Sequence, residues 1–277
     1  MNKGYKITIA DSFIRKNGLF DNIAGDRLKL VKIDIRETEV MTKLVRENDI
    51  VFHLAAVSMV TPSLKDPLTT FQTNVAATEH IARICSLEKK RIIFSSSREV
   101  YGNAHTMPVS ESQPFSPESP YGASKAAAED ILVGYSRAFG LDYVSLRLAN
   151  IFGSGDFDRV IPIFLNKMIK GERVSVFGKD KVVDFIDVDT TCKVFEAGLN
   201  IPPGAYNVCS GKGTSIATLA RRLKEITNST SQIEIAENRP NEVLRFVGDP
   251  SKIRRITNLK TKVDIYDYIR RRMLSEM

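Results

Sequence analysis

A tyrosine and a lysine four residues apart carry the clearest chemical potential in this sequence. They belong to Tyr121-Gly-Ala-Ser-Lys125, which opens a helical pattern, and residues at this spacing share one helix face. An ammonium group beside a phenol stabilises the phenolate and lowers a phenol pKa that is ordinarily about 10. Such a tyrosine can remove the proton from an alcohol while hydride leaves the same carbon. The spacing alone also fits an ordinary exposed pair, because the chain contains 8 tyrosines and many lysines.

A serine-rich strand end gives this pair a structural context. The segment Ile92-Ile-Phe-Ser-Ser-Ser-Arg-Glu-Val-Tyr-Gly102 is typical of a buried strand that ends in serines and then turns. Ligands of open parallel sheets bind at the carboxyl ends of the strands, so we expect Ser97 to hydrogen bond near a reacting hydroxyl. Another predicted strand, Val51-Phe-His-Leu-Ala-Ala56, ends in small residues that let a ligand approach the backbone closely.

Strands and helices alternate along the part of the chain that must position these residues. Short β-branched runs predict strands at 6–10, 28–33, 50–54, 91–96 and 143–148. Amphipathic patterns predict helices at 38–46, 67–87 and 121–139. The alternation predicts an α/β fold with a mainly parallel sheet and helices on both faces.

Shorter segments follow residue 150. Helices are predicted at 160–170, 189–199 and 216–227, and a strand at 173–177. We therefore expect residues 1–150 to form the sheet domain. Residues 151–277 would form mainly a smaller lobe, with elements that return to the sheet.

The composition indicates a globular protein without a nucleic-acid or membrane partner. Of the 277 residues, 43% are hydrophobic and 26% are charged. The net charge of +7 is spread along the chain, with no basic stripe that carries interleaved aromatic residues. No run approaches the roughly 20 apolar residues of a membrane span, and we recognise no signal peptide. The three cysteines lack metal-ligand or disulfide spacing, so we expect no metal site and a cytoplasmic location.

Nine blocks of residues occur in the order found in one enzyme family. They are Asp11, Asp34-Ile-Arg36, His53-Leu-Ala-Ala56, Asn74-Val-Ala-Ala-Thr78, Ser95 to Gly102, Tyr121 to Lys125, Arg147-Leu-Ala-Asn-Ile-Phe-Gly153, Asp184-Phe-Ile-Asp-Val188, and Arg239-Pro-Asn-Glu-Val-Leu-Arg245 with Asp249-Pro-Ser-Lys252. Together they resemble the extended short-chain dehydrogenase/reductase family, in its nucleotide-sugar epimerase/dehydratase branch, over nearly the whole chain. The resemblance implies a Rossmann-like doubly wound parallel sheet, a smaller C-terminal substrate lobe and an NAD cofactor.

The resemblance also implies a role for each matching residue. Tyr121 would be the catalytic base, Lys125 its partner and a ligand of the nicotinamide ribose, and Ser97 the hydroxyl that orients the substrate. Asp11 would hold the adenosine ribose and favour NAD over NADP. Further cofactor contacts would come from Asp34 and Ile35 beside adenine, from Leu54, Ala55 and Ala56 beside the pyrophosphate, and from Asn74 and Ser95 around the site. The nucleotide sugar would contact Ser58, Asn150, Arg159 and Arg239.

Simpler interpretations stay open for several of these residues. Asn74 and Asn150 also fit residues that only cap turns. Asp34 also fits the start of a loop, and His53 fits a side chain that packs at a strand end.

The first departure from the family pattern concerns the amino terminus. Lys6-Ile-Thr-Ile-Ala-Asp11 already resembles the second strand of such proteins, so we expect the first strand, glycine-rich turn and first helix to be missing, roughly 30 residues. The gap would leave two strand edges without partners. An incomplete or misplaced start, a truncated paralogue that binds NAD poorly, and a gap filled by another segment or chain all remain possible.

Two further departures concern side chains of the expected site. Val183 replaces an arginine that usually precedes the aspartate, and Arg159 or Lys181 would compensate for the lost phosphate contact. Arg98 stands where 4,6-dehydratases place an aspartic general acid, whereas Glu99 stands where dehydratases and decarboxylases keep a glutamate. We therefore expect an NAD-dependent nucleotide-sugar epimerase that acts at C4 through a 4-keto intermediate. The alternatives are a dehydratase or decarboxylase that uses Glu99, and a truncated non-catalytic nucleotide-sugar-binding paralogue.

A homodimer is the expected assembly. The predicted helices 67–87 and 121–139 carry apolar residues beyond one face, and the resemblance implies that they pair between subunits. Burial of both helices under the second lobe is the alternative.

Overall fold

The strands predicted in the first 150 residues are present within a residue or two of their expected bounds. The structure is a computed structural model that describes residues 4–14, 25–239, 242–261 and 264–274. Its strands are β1 (Ile7–Asp11), β2 (Leu28–Lys32), β3 (Ile50–His53), β4 (Arg91–Ser97), β5 (Tyr143–Leu148), β6 (Asn150–Phe152), β7 (Val174–Phe177), β8 (Val182–Asp187), β9 (Gly204–Val208), β10 (Gly213–Ser215) and β11 (Ile233–Ala236).

The helices form where the sequence has a period of 3.6 residues. They are α1 (Thr38–Glu47), α2 (Val60–Lys65), α3 (Pro67–Phe71), α4 (Ala77–Leu87), α5 (Pro120–Phe139), α6 (Val160–Ile169), α7 (Val188–Ala197), α8 (Ile216–Ile226), α9 (Ser251–Thr257) and α10 (Ile265–Tyr268). A π-helical turn, Gln72–Ala76, joins α3 to α4, and a 3-10 turn, Arg98–Tyr101, follows β4.

Four parallel strands form the larger sheet, in the order β3-β4-β5-β9. Ile93 in β4 lies opposite Phe52 of β3 on one side and Val144 of β5 on the other. Ile92, Ile93 and Phe94 are at most 1% exposed, as expected for a parallel strand that is covered on both faces. The parallel α/β arrangement predicted from the sequence is therefore confirmed, and β9 reaches this sheet from the second part of the chain.

The first two strands form a separate parallel pair. Within the described residues, no strand hydrogen bonds connect β1 or β2 to β3. Nevertheless, Ala10, Val31 and Val51, one from each of these strands, pack against the same buried cluster of apolar side chains. The two sheets thus share a core, whereas β1 and β3 each keep one edge that no described strand pairs with. The sequence predicts these unpaired edges.

The longest helix, α5, has clear start and stop signals. Ser119 accepts a hydrogen bond from the Gly122 N–H at 3.1 Å, and Pro120 occupies the first helical position, where its missing N–H costs little. Gly140 ends the helix in the left-handed region, with φ of 72°. These signals fix where α5 begins, and so they place Tyr121 in its first turn.

The predicted helix 67–87 forms, but with a wider turn inside it. Asp66 caps its start by accepting from the Thr69 N–H at 3.0 Å. The π-helical turn places an extra residue in the middle, a feature that often marks functional sites. Asn74, which is 1% exposed, lies in this turn.

The second part of the chain builds two small sheets around its own core. β6 pairs with β8 in parallel, β10 pairs with β8 antiparallel, and β7 pairs with β11. Apolar residues of α6, α8 and α10 pack together on these strands. Of these five strands, the sequence analysis predicted only β7. The domain boundary at residue 150 stays a prediction. Across the described ranges, no helix is both long and apolar enough to cross a membrane.

Candidate active site

Tyr121 lies at a cleft of about 560 Å³ that is bordered by residues from both parts of the chain. Its backbone N–H donates to the Ser63 hydroxyl at 3.0 Å, so α2 supports the start of α5. Ser97, at the end of β4, borders the same cleft, and its hydroxyl acts to lower the pKa of the Tyr121 phenol. The structure thus brings together the phenol and the serine that the sequence places 24 residues apart.

Lys125 lies one turn further along α5 and is 2% exposed. Its ammonium group donates to the Ser95 carbonyl at 2.8 Å and lies 4.7 Å from the centre of the Phe94 ring. Burial lowers the pKa of Lys125 to about 7. The lysine therefore contacts β4, the strand that ends in Ser97.

The expected lowering of the Tyr121 pKa is wrong for the chain by itself. Burial raises the pKa of the phenol, and the nearby Ser97 hydroxyl opposes this increase only in part. Loss of water around the phenol outweighs the neighbouring groups that favour the phenolate.

The 3-10 turn after β4 places two charged side chains on the floor of the cleft. Ser97 caps the turn by accepting from the Glu99 N–H at 3.2 Å. Arg98 and Glu99 form an ion pair of 2.8 Å, and Arg98 also donates to Asn150 Oδ1 at 2.6 Å. A Cβ atom on Gly122 would lie 2.6 Å from the Glu99 carbonyl oxygen. Only glycine at this position lets α5 pack so closely against the turn.

The residues predicted to hold the adenosine end of NAD lie after β1 and β2. Asp11 ends β1, and its Oδ1 accepts from the Phe13 N–H at 2.6 Å. Asp34 pairs with Arg36 at 2.6 Å, which lowers the pKa of the Asp34 carboxyl group. Ile35 is 6% exposed and packs in the core, so only its backbone is available to a ligand.

The predicted pyrophosphate side lies at the carboxyl end of β3. Leu54 is 55% exposed there, and Ala55 and Ala56 follow it with half-buried side chains. Asn74 braces this segment: its amide group accepts from the Val57 N–H at 2.8 Å and donates to the Val57 carbonyl at 3.0 Å. The same amide donates to the Ser124 hydroxyl at 2.9 Å, which ties the segment to α5.

His53, just before that segment, is 3% exposed and hydrogen bonds to Thr78 at 2.8 Å. Burial lowers the pKa of this imidazole to about 3, with the Lys125 charge as a smaller cause. The geometry agrees with the interpretation of His53 as a packed, neutral side chain at a strand end.

Three of the four predicted substrate contacts line the cleft. Asn150 does so from β6, Arg159 from the start of α6, and Arg239 from the region after β11. Ser58 is half-buried and does not line the cleft, although the next residue, Met59, does. Pro240 and Asn241, which follow Arg239 in the family pattern, lie outside the described residues.

The sequence analysis missed the environment of Arg239. Its guanidinium lies 4.0 Å from the centre of the Phe177 ring and 3.7 Å from Glu242. Glu242 also forms a hydrogen-bonded ion pair with Lys181. Val183, which stands where the family usually has an arginine, is 2% exposed, and Arg239 and Lys181 are cations that line the cleft near Glu242. The spacing of Arg239 and Glu242 along the chain is the only sequence signal for their pairing.

A buried charge network behind the site was also missed. Arg147 of β5 forms a bidentate ion pair with Glu129 of α5, at 2.9 and 3.0 Å for the shortest contacts. Arg147 also donates to the Tyr101 hydroxyl at 2.8 Å, and Glu129 accepts a short hydrogen bond from Ser96. The one sequence signal for this network is Glu129 itself, a carboxylate on the buried face of α5 that requires a cation nearby.

One family pattern matches almost the entire chain. The profile of the GDP-mannose 4,6-dehydratase family matches residues 1–272. The chain belongs to this family. Among relatives of the family, the UDP-glucose 4-epimerase of Halalkalibacterium halodurans is 29% identical over 255 residues, which cover 83% of this chain and 76% of that protein.

Solved structures of family relatives have the same fold. The UDP-glucose 4-epimerase of Thermotoga maritima, solved with UDP-glucose, has a TM-score of 0.91 at 26% identity and covers 97% of this chain and 90% of its own. The UDP-glucose 4-epimerase of Thermus thermophilus, solved in complex with NAD, has a TM-score of 0.89 at 26% identity, with the same coverage. The Rossmann-like fold and the enzyme family predicted from the sequence are confirmed by these matches.

Proposed function

We propose that this protein is an NAD-dependent nucleotide-sugar epimerase that acts at C4 of the sugar. The observation that carries the proposal is that Tyr121 and Ser97 border the same cleft, and that the helix of Tyr121 also holds the buried Lys125 against β4, the strand that ends in Ser97. A phenol and a hydroxyl in contact can bind one substrate alcohol together and move its proton. The epimerases that resemble this chain support the same reaction class.

The described residues fit NAD in chemical character. Asp11 ends β1 with a carboxylate suited to ribose hydroxyls, and the exposed backbone after β3 is lined by Leu54 and two alanines. Lys125 keeps ammonium protons beyond the one that the Ser95 carbonyl accepts. When bound, NAD would accept hydride from the sugar carbon and return it.

The chain's own residues would manage the proton and the position of the sugar. Tyr121 would take the proton of the C4 hydroxyl as the C4–H bond of the sugar breaks. It would return the proton to the same oxygen when the C4 carbonyl is reduced. Ser97 would hold the same oxygen in both steps. The cleft, at about 560 Å³, leaves room for the keto sugar to present its opposite face before reduction.

The diphosphate of the donor would lie on the wall formed by Arg239 and Lys181. Arg239 offers a guanidinium already oriented by Phe177, and such groups bind phosphate oxygens through paired hydrogen bonds. Both cations share Glu242 as their partner, so a diphosphate would compete with this carboxylate for them. Asn150 and Arg159 would contact the donor from the other side of the cleft.

A second candidate reaction is dehydration or decarboxylation that uses Glu99 on the keto intermediate. The name of the matching family, GDP-mannose 4,6-dehydratase, favours it, and Glu99 lines the same cleft as Tyr121. The third possibility is a protein that binds the nucleotide sugar without turning it over.

One experiment separates the three. Purified protein is incubated with NAD and UDP-glucose, and the products are followed by NMR. UDP-galactose supports the epimerase, and a 4-keto-6-deoxy product would instead establish the dehydratase. Absence of any product, combined with binding of UDP-glucose by isothermal titration, would leave only the binding protein.

We also infer a homodimer in the cytoplasm. Leu68 of α3, Leu87 of α4 and Phe139 of α5 are each at least 68% exposed, so the second lobe does not cover these ends of the two helices. Exposed apolar side chains on neighbouring helices are typical of a helical interface between subunits.

A further inference from the structure

A buried ion pair occupies the floor of the cleft beside Tyr121. Arg98 Nη2 lies 2.8 Å from Glu99 Oε1, and the two side chains are 9% and 10% exposed. Both residues border the cleft together with Ser97 and Tyr121. Both charged groups therefore lie in the cleft that a sugar would occupy if its C4 hydroxyl contacted Tyr121.

The pair is held from several sides. Arg98 Nε donates to Asn150 Oδ1 at 2.6 Å, and the guanidinium lies 5.6 Å from the centre of the Phe246 ring. The backbone of Glu99 is pressed against α5 at Gly122, where even a Cβ atom would not fit. Arg98 and Glu99 are therefore fixed relative to each other and to Tyr121.

Neither oxygen of Glu99 is both unshared and exposed to the cleft. Oε1 accepts from Arg98, and Oε2 is buried with no hydrogen-bond partner among the described residues. A general base must place an unshared oxygen within about 3 Å of the proton that it removes. In this arrangement, the carboxylate faces its arginine and the protein interior.

Removal of water from a 4-keto sugar needs both a base and an acid. The base takes the C5 proton, the C–H electrons form the C5–C6 double bond, and the C6–O bond breaks while an acid protonates the departing oxygen. A guanidinium keeps its proton in proteins, so Arg98 cannot be that acid. Glu99, with Oε1 paired to Arg98 and Oε2 buried, presents no unshared oxygen to the C5 proton.

We propose that Arg98 is a positioning residue that decides the outcome of the reaction by holding Glu99 away from C5. The keto sugar is then reduced at C4 and does not lose water, so the product is the C4 epimer. This inference rests on the proposed function, because it assumes a 4-keto sugar in the cleft. It assigns Glu99 the role of a partner for Arg98 and not that of a base.

The test follows solvent deuterium at C5. Protein, NAD and UDP-glucose are incubated in D₂O, and deuterium at C5 of the recovered sugars is measured by NMR. Wild-type protein should interconvert the C4 epimers without C5 deuterium. Arg98→Gln, which removes the charge but keeps an amide for Asn150, should raise C5 exchange by roughly 10²-fold. The matched double variant Arg98→Gln/Glu99→Gln should fall back to the wild-type level.

Several results would overturn the inference. They are C5 deuterium in the wild-type reaction, epimerisation by Arg98→Gln without added exchange, or exchange that persists in the double variant. If Arg98→Gln does not fold, the wild-type arm still decides, because C5 exchange there contradicts the inference and its absence supports it.

A direct arm separates this inference from the proposed function. UDP-4-ketoglucose is added to wild-type protein in D₂O, so that no oxidation at C4 is required. Exchange at the rate of the free ketone supports the role of Arg98, and accelerated exchange contradicts it. Failure of the proposed function would show instead as absence of C4 epimers from UDP-glucose.

Discussion

The phenol of Tyr121 is the group on which the proposed chemistry depends most directly. Replacement by phenylalanine removes the hydroxyl but keeps the ring that lines the cleft. We expect Tyr121→Phe to lower kcat by roughly 10²- to 10⁴-fold with little change in the melting temperature. Tyr135→Phe, on the same helix and bonded to Glu79, is the matched control and should keep wild-type kcat. Equal losses of kcat in both variants would contradict a catalytic role for the Tyr121 hydroxyl.

His53 makes the stability of the fold depend on pH. Burial holds the pKa of its imidazole at about 3 in the folded chain, against an ordinary value of 6.5. Between these values the unfolded chain binds the extra proton, so the stability that His53 supplies is lost as pH falls from 6.5 towards 3. In His53→Gln, urea unfolding should therefore lose this part of its pH dependence. The exposed His105→Gln should keep the wild-type dependence, and identical slopes in all three proteins would contradict the prediction.

At the scale of elements, the contact between α5 and the turn after β4 fixes the site. The Cβ atom of alanine at position 122 would lie 2.6 Å from the Glu99 carbonyl oxygen, so the helix must shift. We expect Gly122→Ala to destabilise the protein by about 1–3 kcal/mol and to lower kcat, because Tyr121 moves with the helix. Gly134→Ala, in the same helix with nothing within 4 Å, should instead stabilise by about 0.5–1 kcal/mol. Urea denaturation and initial rates check both variants, and matching effects would exclude the close contact as the cause.

The second link between elements is the buried pair of Arg147 in β5 and Glu129 in α5. Arg147→Met should cost about 3–5 kcal/mol in unfolding free energy, because Glu129 is then buried without its cation. Adding Glu129→Gln to this variant should recover part of the loss. The exposed pair Arg222–Glu225 is the control, and Arg222→Ala should leave the unfolding free energy nearly unchanged. A single Arg147→Met variant as stable as wild type would contradict the structural role of the pair.

The whole molecule leaves apolar side chains of α3, α4 and α5 in contact with solvent. If these helices pair between subunits, light scattering should give twice the 31.0 kDa mass of one chain. The double variant Leu68→Lys/Phe139→Lys should shift the mass towards one chain, because buried lysines oppose association. The matched control places lysine at the exposed Phe157, which lies outside these helices, and should leave the dimer intact. A wild-type mass of one chain at micromolar concentration would refute the dimer.

The elements and their order follow largely from local patterns of residues. Strand and helix periodicities are local properties, and so β4, β5, α1 and α5 were predicted with nearly correct bounds. The order of residues also identified the family, because the nine blocks can be recognised from the sequence without knowledge of the fold. The strands β6, β8, β10 and β11 were missed because polar residues or glycine interrupt their apolar residues, as in Gly213–Ser215, whereas β1 to β5 contain longer β-branched or apolar runs.

The contacts between these elements are visible only in the tertiary structure. Pairing between residues distant in the chain depends on packing and on the removal of water, neither of which leaves a local pattern. For this reason the sequence predicted Tyr121, Ser97 and Lys125 as a group, but it gave the wrong direction for the Tyr121 pKa. The ion pair of Arg98 with Glu99, its bond to Asn150, and the return of β9 to the sheet are set by the folded arrangement of the chain.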